Sequence, residues 1–168
     1  FYFVQVAGYM PPQEVQPDSR WAVLREAQAE ALHIANTGMI TAVDLGDPYD
    51  IHPKNKQDVG KRLAALSLAD TYRKGTYHMP VCTGYKVYDR TLALAFDSPV
   101  QANAGEVKGF VLAGPDGVFY PAKATLQQNG KSVVLESPQV EIPIAARYNW
   151  ADCPNGNLYS PSGVPVGP

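Results

Sequence analysis

Little in this chain suits a nucleic acid, a membrane or a metal. Its 168 residues carry a formal net charge of −2, with a pI near 5.9. There is no run of like charges, so no basic face offers itself to a phosphate backbone. The longest apolar runs fall well short of the roughly 18 to 20 residues that span a bilayer. Cysteine is scarce. Cys82, after Pro80-Val81, and Cys153, before Pro154, lie far apart, which excludes a CxxC-type zinc or redox site. They fit either one disulfide in an exported protein or two free thiols. The three histidines, at 33, 52 and 78, lack a metal-ligand spacing such as HxxxH. No Asn-x-Ser/Thr sequon is present, so glycosylation gives no hint of a secretory route. None of the serines, at 19, 67, 98, 132, 137, 160 and 162, sits in Gly-x-Ser-x-Gly or Gly-Asp-Ser. The start shows no Met, no basic region and no signal-peptide pattern. A chain opening directly on a strand-like run, Phe1 to Ala7, reads as a fragment or a processed product.

What is present describes a globular protein: 45% hydrophobic and 18% charged residues, enough chain for one ordinary domain or two small ones. Residues 1–80 alternate strand and helix signals. The apolar run 1–7 is followed by a loop rich in Pro and Gln. Asp18 and Ser19 are N-cap candidates for a helix over about 19–33, with Trp21, Leu24, Ala27, Ala31 and Leu32 at helical spacing for a core face. After the Asn36-Thr37-Gly38 turn, 39–43 predicts a strand buried on both faces. A second helix over about 54–73 shows an apolar stripe of Val59, Leu63, Leu66 and Ala69, with Lys56, Lys61 and Arg62 on or near its solvated side. That order is the end of a parallel sheet layered with helices. From residue 81 to 168 the pattern is all-β. Short strands are predicted over 85–88, 91–96, 107–112, 118–120, 122–126 and 132–135, with hairpin turns at 115–117 and 129–130. They predict a β-sandwich or jelly-roll-like module. The Pro-, Gly- and Asn-rich tail, 149–168, predicts an ordered surface wrap or a loose terminus. No internal repeat or low-complexity tract appears.

The chemistry concentrates in 44–63, where His52 lies in a loop with Asp44, Asp47 and Asp50 between a strand and a helix. The carboxyl end of a strand is where α/β enzymes keep a general base, and a carboxylate on the second ring nitrogen fixes its tautomer. An imidazole suits proton transfer near neutral pH. Asp50 is the first candidate for that carboxylate and Asp47 the second. Pro53 suits the first position of the following helix. The structural alternative is a capping loop whose histidine bonds only locally. His33, at a helix C-terminus, reads as a dipole partner, and His78 as a surface or junction residue. Cys82 lacks a histidine motif that would make it a nucleophile. Arg25 fits an ion pair on a helix face, or an anion or sugar contact. Arg147-Tyr148-Asn149-Trp150 fits an aromatic plug between the two parts of the chain, or a sugar-stacking surface.

Several phrases together resemble the sialate O-acetylesterase family of SGNH-type hydrolases. They are Phe1-Tyr-Phe-Val-Gln5, Trp21 to Gln28, Asn36-Thr-Gly-Met39, the run Asp44 to Leu63, Arg147 to Trp150, Asn157 to Tyr159 and Gly163 to Pro165. The resemblance covers almost the whole chain, and the His-containing run is its most specific part. It implies an α/β fold: the C-terminal part of a three-layer, flavodoxin-like parallel sheet in 1–80, then the β module in 81–168. It implies a serine-type esterase that removes acetyl groups from a carbohydrate without metal or other cofactor, with His52 as base. Sialic acid and acetylated xylan both fit as the acetylated sugar. The pattern departs from the family at position 49, where the usual Asp-x-x-His arrangement has aspartate and this chain has tyrosine. The family's nucleophilic serine, in a Gly-Gln-Ser-Asn-like turn, and its oxyanion-binding Gly and Asn have no counterpart here. The expectation is therefore that a second polypeptide, the N-terminal part of the enzyme, carries the serine and pairs with the edge at 1–7. The resemblance also implies a secreted or periplasmic protein, lysosomal in an animal. The competing expectations are a non-catalytic carbohydrate-binding or interaction module and an esterase homologue that has lost its serine.

Overall fold

A computed structural model describes residues 1–168. It is mixed α/β, with two α-helices and several small sheets. Strand β1 (Tyr2–Gln5) pairs in parallel with β2 (Gly38–Thr41), Tyr2 opposite Gly38 and Gln5 opposite Thr41. Helix α1 (Arg20–Glu30) makes the crossover between them, and α2 (Lys56–Asp70) follows β2 and packs on both strands. All four residues of β2 are buried, as its mostly apolar character predicts. The expected strand over 39–43 is shorter, because Val43–Leu45 turns into a 3-10 helix. Ser19 caps α1, its hydroxyl accepting the Ala22 N–H, and Asn55 caps α2 by accepting the Asp58 N–H. No helix is long and apolar enough to cross a membrane.

The face that α1 turns inward differs from the expected one. Ala22 and Arg25 are its buried residues, whereas Leu24 and Leu32 are 43% and 40% exposed. Small Ala22 lets the helix axis approach the strand, and Arg25 fills the gap with its stem while its guanidinium reaches backbone carbonyls.

Beyond residue 80 every strand pairing is antiparallel. Strands β3 (Cys82–Tyr88), β4 (Thr91–Phe96), β8 (Lys123–Leu126) and β9 (Ser132–Glu136) form a sheet of order β3-β4-β9-β8. Strand β6 (Phe110–Ala113) lies between β10 (Ala145–Tyr148) and β7 (Phe119–Pro121). Short β5 (Gln101–Ala102) pairs with β11 (Leu158–Tyr159). Alternation sends Leu92 and Phe96, Val133 and Leu135, Phe110 and Leu112 into one shared cluster, joined by Leu158 and Val166 from the tail. Strands β5, β10 and β11 escaped the sequence reading, because two- and four-residue strands next to Pro and Asn carry little periodicity. The tail is ordered: Ser160 N–H donates to the Val164 carbonyl at 2.7 Å, and Val164, Pro165 and Val166 are buried.

Candidate active site

Two parallel strands end side by side, and both lead into glycine. Gly46 crosses Gly8 so closely that a Cβ on Gly46 would stand 2.0 Å from the Gly8 carbonyl oxygen. The backbone after β2 is thereby pressed against the backbone after β1. The loop carrying His52 starts from this crossing.

That loop holds its shape through two side-chain turns. Asp47 accepts the Tyr49 N–H at 2.9 Å, and Asp50 accepts the His52 N–H at 2.9 Å; in each, an aspartate bonds the backbone two residues on. A β-bridge joins Asp47 and Asp50. The His52 Nδ1 lies 3.3 Å from Asp50 Oδ1, while no protein group bonds its Nε2. The imidazole is 86% exposed. The His52 backbone N–H, followed by the ring contact, holds the Asp50 carboxyl below the usual carboxylate range. Asp47 is turned instead toward Tyr49 and toward Lys54, whose Nζ stands 3.9 Å from it. The structure thus brings His52 to Asp50 and leaves Asp47 on a different partner.

Asp44 anchors the base of the loop. Arg62 grips it with two hydrogen bonds, of 2.7 and 2.6 Å, and donates to the Thr41 carbonyl at 2.8 Å. The Tyr159 hydroxyl, from β11, donates to Asp44 at 3.1 Å. Burial lowers the Arg62 pKa, but Asp44 outweighs it and raises the pKa above the ordinary value. Burial, with Asp44 beside it, raises that of Tyr159. Arg62 was expected near the solvated side of α2. It is partly buried because a bidentate carboxylate and a strand-end carbonyl draw it inward. Its position three after Val59 and four before Leu66 was the available signal.

A second junction lies behind the first. Arg25 is fully buried. It donates to the carbonyls of Val6 at 3.0 Å, Ala7 at 3.3 Å, Ala151 at 2.7 Å and Asp152 at 2.8 Å. It is neither a solvated ion pair nor a sugar contact; it staples the end of β1 to the tail. Burial pulls its pKa down to about 10, which leaves it charged at neutral pH. Asp152 accepts from Ser19 Oγ at 2.6 Å, from the Trp21 N–H at 3.3 Å and from Gln16. Burial works to raise the Asp152 pKa, but these hydrogen bonds prevail and hold it below the ordinary value.

The remaining candidates are settled locally. His33 Nδ1 meets the Glu30 carbonyl at 3.0 Å, and His78 pairs with Asp97 at 3.0 Å. Cys82 and Cys153 are free thiols, the first exposed and the second half-buried. Ser19 is committed to Asp152 and to the α1 cap. No group of three or more acidic, histidine or cysteine residues is arranged to hold a metal ion.

No protein-family model matches the chain, and no curated protein matches it. Among solved structures, a carbohydrate acetylesterase from Xanthomonas citri superposes with a TM-score of 0.91 at 37% sequence identity. The match covers 100% of this chain and 40% of that protein's. The chain is thus similar, from end to end, to a part amounting to two-fifths of a carbohydrate acetylesterase.

Proposed function

We propose that these residues supply the general base of a serine-type carbohydrate O-acetylesterase. The observation that carries this reading is His52 at the carboxyl end of a parallel strand, Nδ1 against Asp50 and Nε2 free. The likeness to a carbohydrate acetylesterase supports it. On this reading a serine hydroxyl attacks the acetyl carbonyl while His52 Nε2 takes its proton. His52 returns the proton to the sugar hydroxyl as it leaves. Water, deprotonated by the same nitrogen, then hydrolyses the acetyl-serine and frees acetate. Asp50 holds the ring tautomer that keeps Nε2 unprotonated at the start of each cycle.

The serine and the oxyanion donors come, on this proposal, from polypeptide outside these 168 residues. That polypeptide completes an SGNH-type three-layer sheet of which β1 and β2 are two strands. Both outer edges of the β1–β2 pair are open, and Val23 and Leu24 on α1 are exposed. Open edges and uncovered apolar side chains are what a further layer would bury. Acetylated sialic acid and acetylated xylan remain the substrate classes of the proposal, and its setting is outside the cytoplasm.

The test is kinetic, on the enzyme assembled with its serine-bearing segment. His52→Ala lowers turnover of an acetyl ester by about a thousandfold or more; unchanged turnover overturns the assignment. Asp50→Asn lowers turnover at least about tenfold, and Asp47→Asn leaves it within about twofold, if Asp50 alone orients the ring. The reverse order would transfer that role to Asp47.

A further inference from the structure

The sheet β10-β6-β7 buries one face and presents another. Phe110, Leu112, Tyr120, Ala146 and Tyr148 point into the shared core. The alternate residues, Arg147 among them, point to the opposite face, beside α1. Cross-strand register places Arg147 opposite Val111 and Phe119 opposite Ala113, so Arg147 and Phe119 share that face.

The Arg147 guanidinium is clamped there. Its central carbon lies 4.1 Å from the Phe119 ring centroid and 4.2 Å from that of Trp150. The two rings hold the guanidinium in one orientation. Its N–H groups have neither a carboxylate nor a carbonyl partner in the chain. A groove of about 530 Å³ opens beside it, lined by Ala22, Glu26, Phe119, Arg147, Trp150 and Pro168 among others. Glu26, on α1, lines the same groove and is likewise without an ion-pair partner. The two charges line one groove without an ion pair between them. Neighbouring Arg25 pins α1 to the tail, and Arg147 sits in a paired strand.

We propose that this groove is an accessory binding site for an uncharged saccharide unit. A sugar hydroxyl both donates and accepts, so one ring can accept from Arg147 and donate to Glu26 at once. A clamped guanidinium loses little entropy in doing so, and Trp150 and Phe119 give the site apolar edges for C–H faces. An isolated cation would select a carboxylate or phosphate. Glu26, which lines the same groove, repels such an anion and turns the site toward a neutral ligand. The site lies apart from the His52 loop in sequence and shares no residue with it. It rests on the esterase reading only in the choice of probe.

The experiment is calorimetric titration of the full chain with xylotetraose, cellotetraose and glucuronate. Saturable binding of a neutral tetrasaccharide is expected, weakened about tenfold or more by Arg147→Met and also by Glu26→Gln. The second variant lies on an exposed helix face and keeps the test open if the first misfolds. Hydrolysis of a small acetyl ester by the assembled enzyme stays at the parental rate in Glu26→Gln, whereas loss of esterase activity in His52→Ala bears on the esterase reading alone. Absence of binding by both tetrasaccharides, affinity unchanged in Glu26→Gln, or binding of glucuronate alone overturns the proposal.

Discussion

Arg25 and His52 show how differently single residues behave in this chain. His52 is exposed, ordered only by Asp50 and the turn they share, so its substitution scarcely touches stability and, on the proposed function, acts on proton transfer. Arg25 is the opposite case. Four backbone carbonyls accept from one guanidinium, and no water can replace it at a fully buried site. Arg25→Met keeps the apolar stem but leaves buried acceptors unpaired, and is expected to destabilise the fold by about 3 kcal/mol or more in urea denaturation. Arg25→Lys recovers part of this, since one ammonium cannot reach four divergent carbonyls. A stability change under about 0.5 kcal/mol for Arg25→Met would show that the staple contributes little.

At the level of elements, the informative contact is backbone on backbone. The strand ends after β1 and β2 meet through Gly8 and Gly46, and a Cβ on Gly8 would stand 3.2 Å from Cys153 Sγ. Gly46→Ala places a methyl group on a carbonyl that cannot move without shifting β1. A melting temperature lowered by an amount corresponding to about 1–3 kcal/mol or more is expected. The same variant displaces the start of the His52 loop, so on the proposed function esterase turnover of the assembled enzyme falls with it. Gly60 offers the control: a Cβ there meets nothing within 4 Å, and Gly60→Ala, in mid-helix, is expected to stabilise by roughly 0.5–1 kcal/mol. Equal effects of the two substitutions would remove the crossing as the explanation.

Across the whole molecule, the tail binds the α/β layer to the β module. Tyr159 bonds Asp44, Asp152 bonds the start of α1, and Val166 enters the common core. Acid should loosen this junction, and the sign follows from Asp152. Its folded pKa lies below the ordinary value, taken as about 3.9 when unfolded. Its contribution is therefore complete above the unfolded pKa and is lost as pH falls through the folded one. Stability measured by urea denaturation should drop below about pH 4 in the parent chain and drop less steeply in Asp152→Asn. An identical pH dependence in both would assign the acid sensitivity elsewhere.

Local pattern by itself determined the α/β start, the antiparallel remainder, the Ser19 cap and the placing of His52 after a buried strand. These follow from hydrophobic period, capping chemistry and turn residues, each set within a few positions of chain. The pairing of His52 with Asp50 was equally local, two residues apart. Tertiary structure alone decided the rest. It turned Arg25 and Arg62 inward, because their acceptors lie 126 and 18 residues away. It folded the tail back onto Asp44 and α1, and it clamped Arg147 between Phe119 and Trp150. A cation among polar neighbours looks solvated until the carbonyls or rings that receive it are brought near, and only long-range packing brings them.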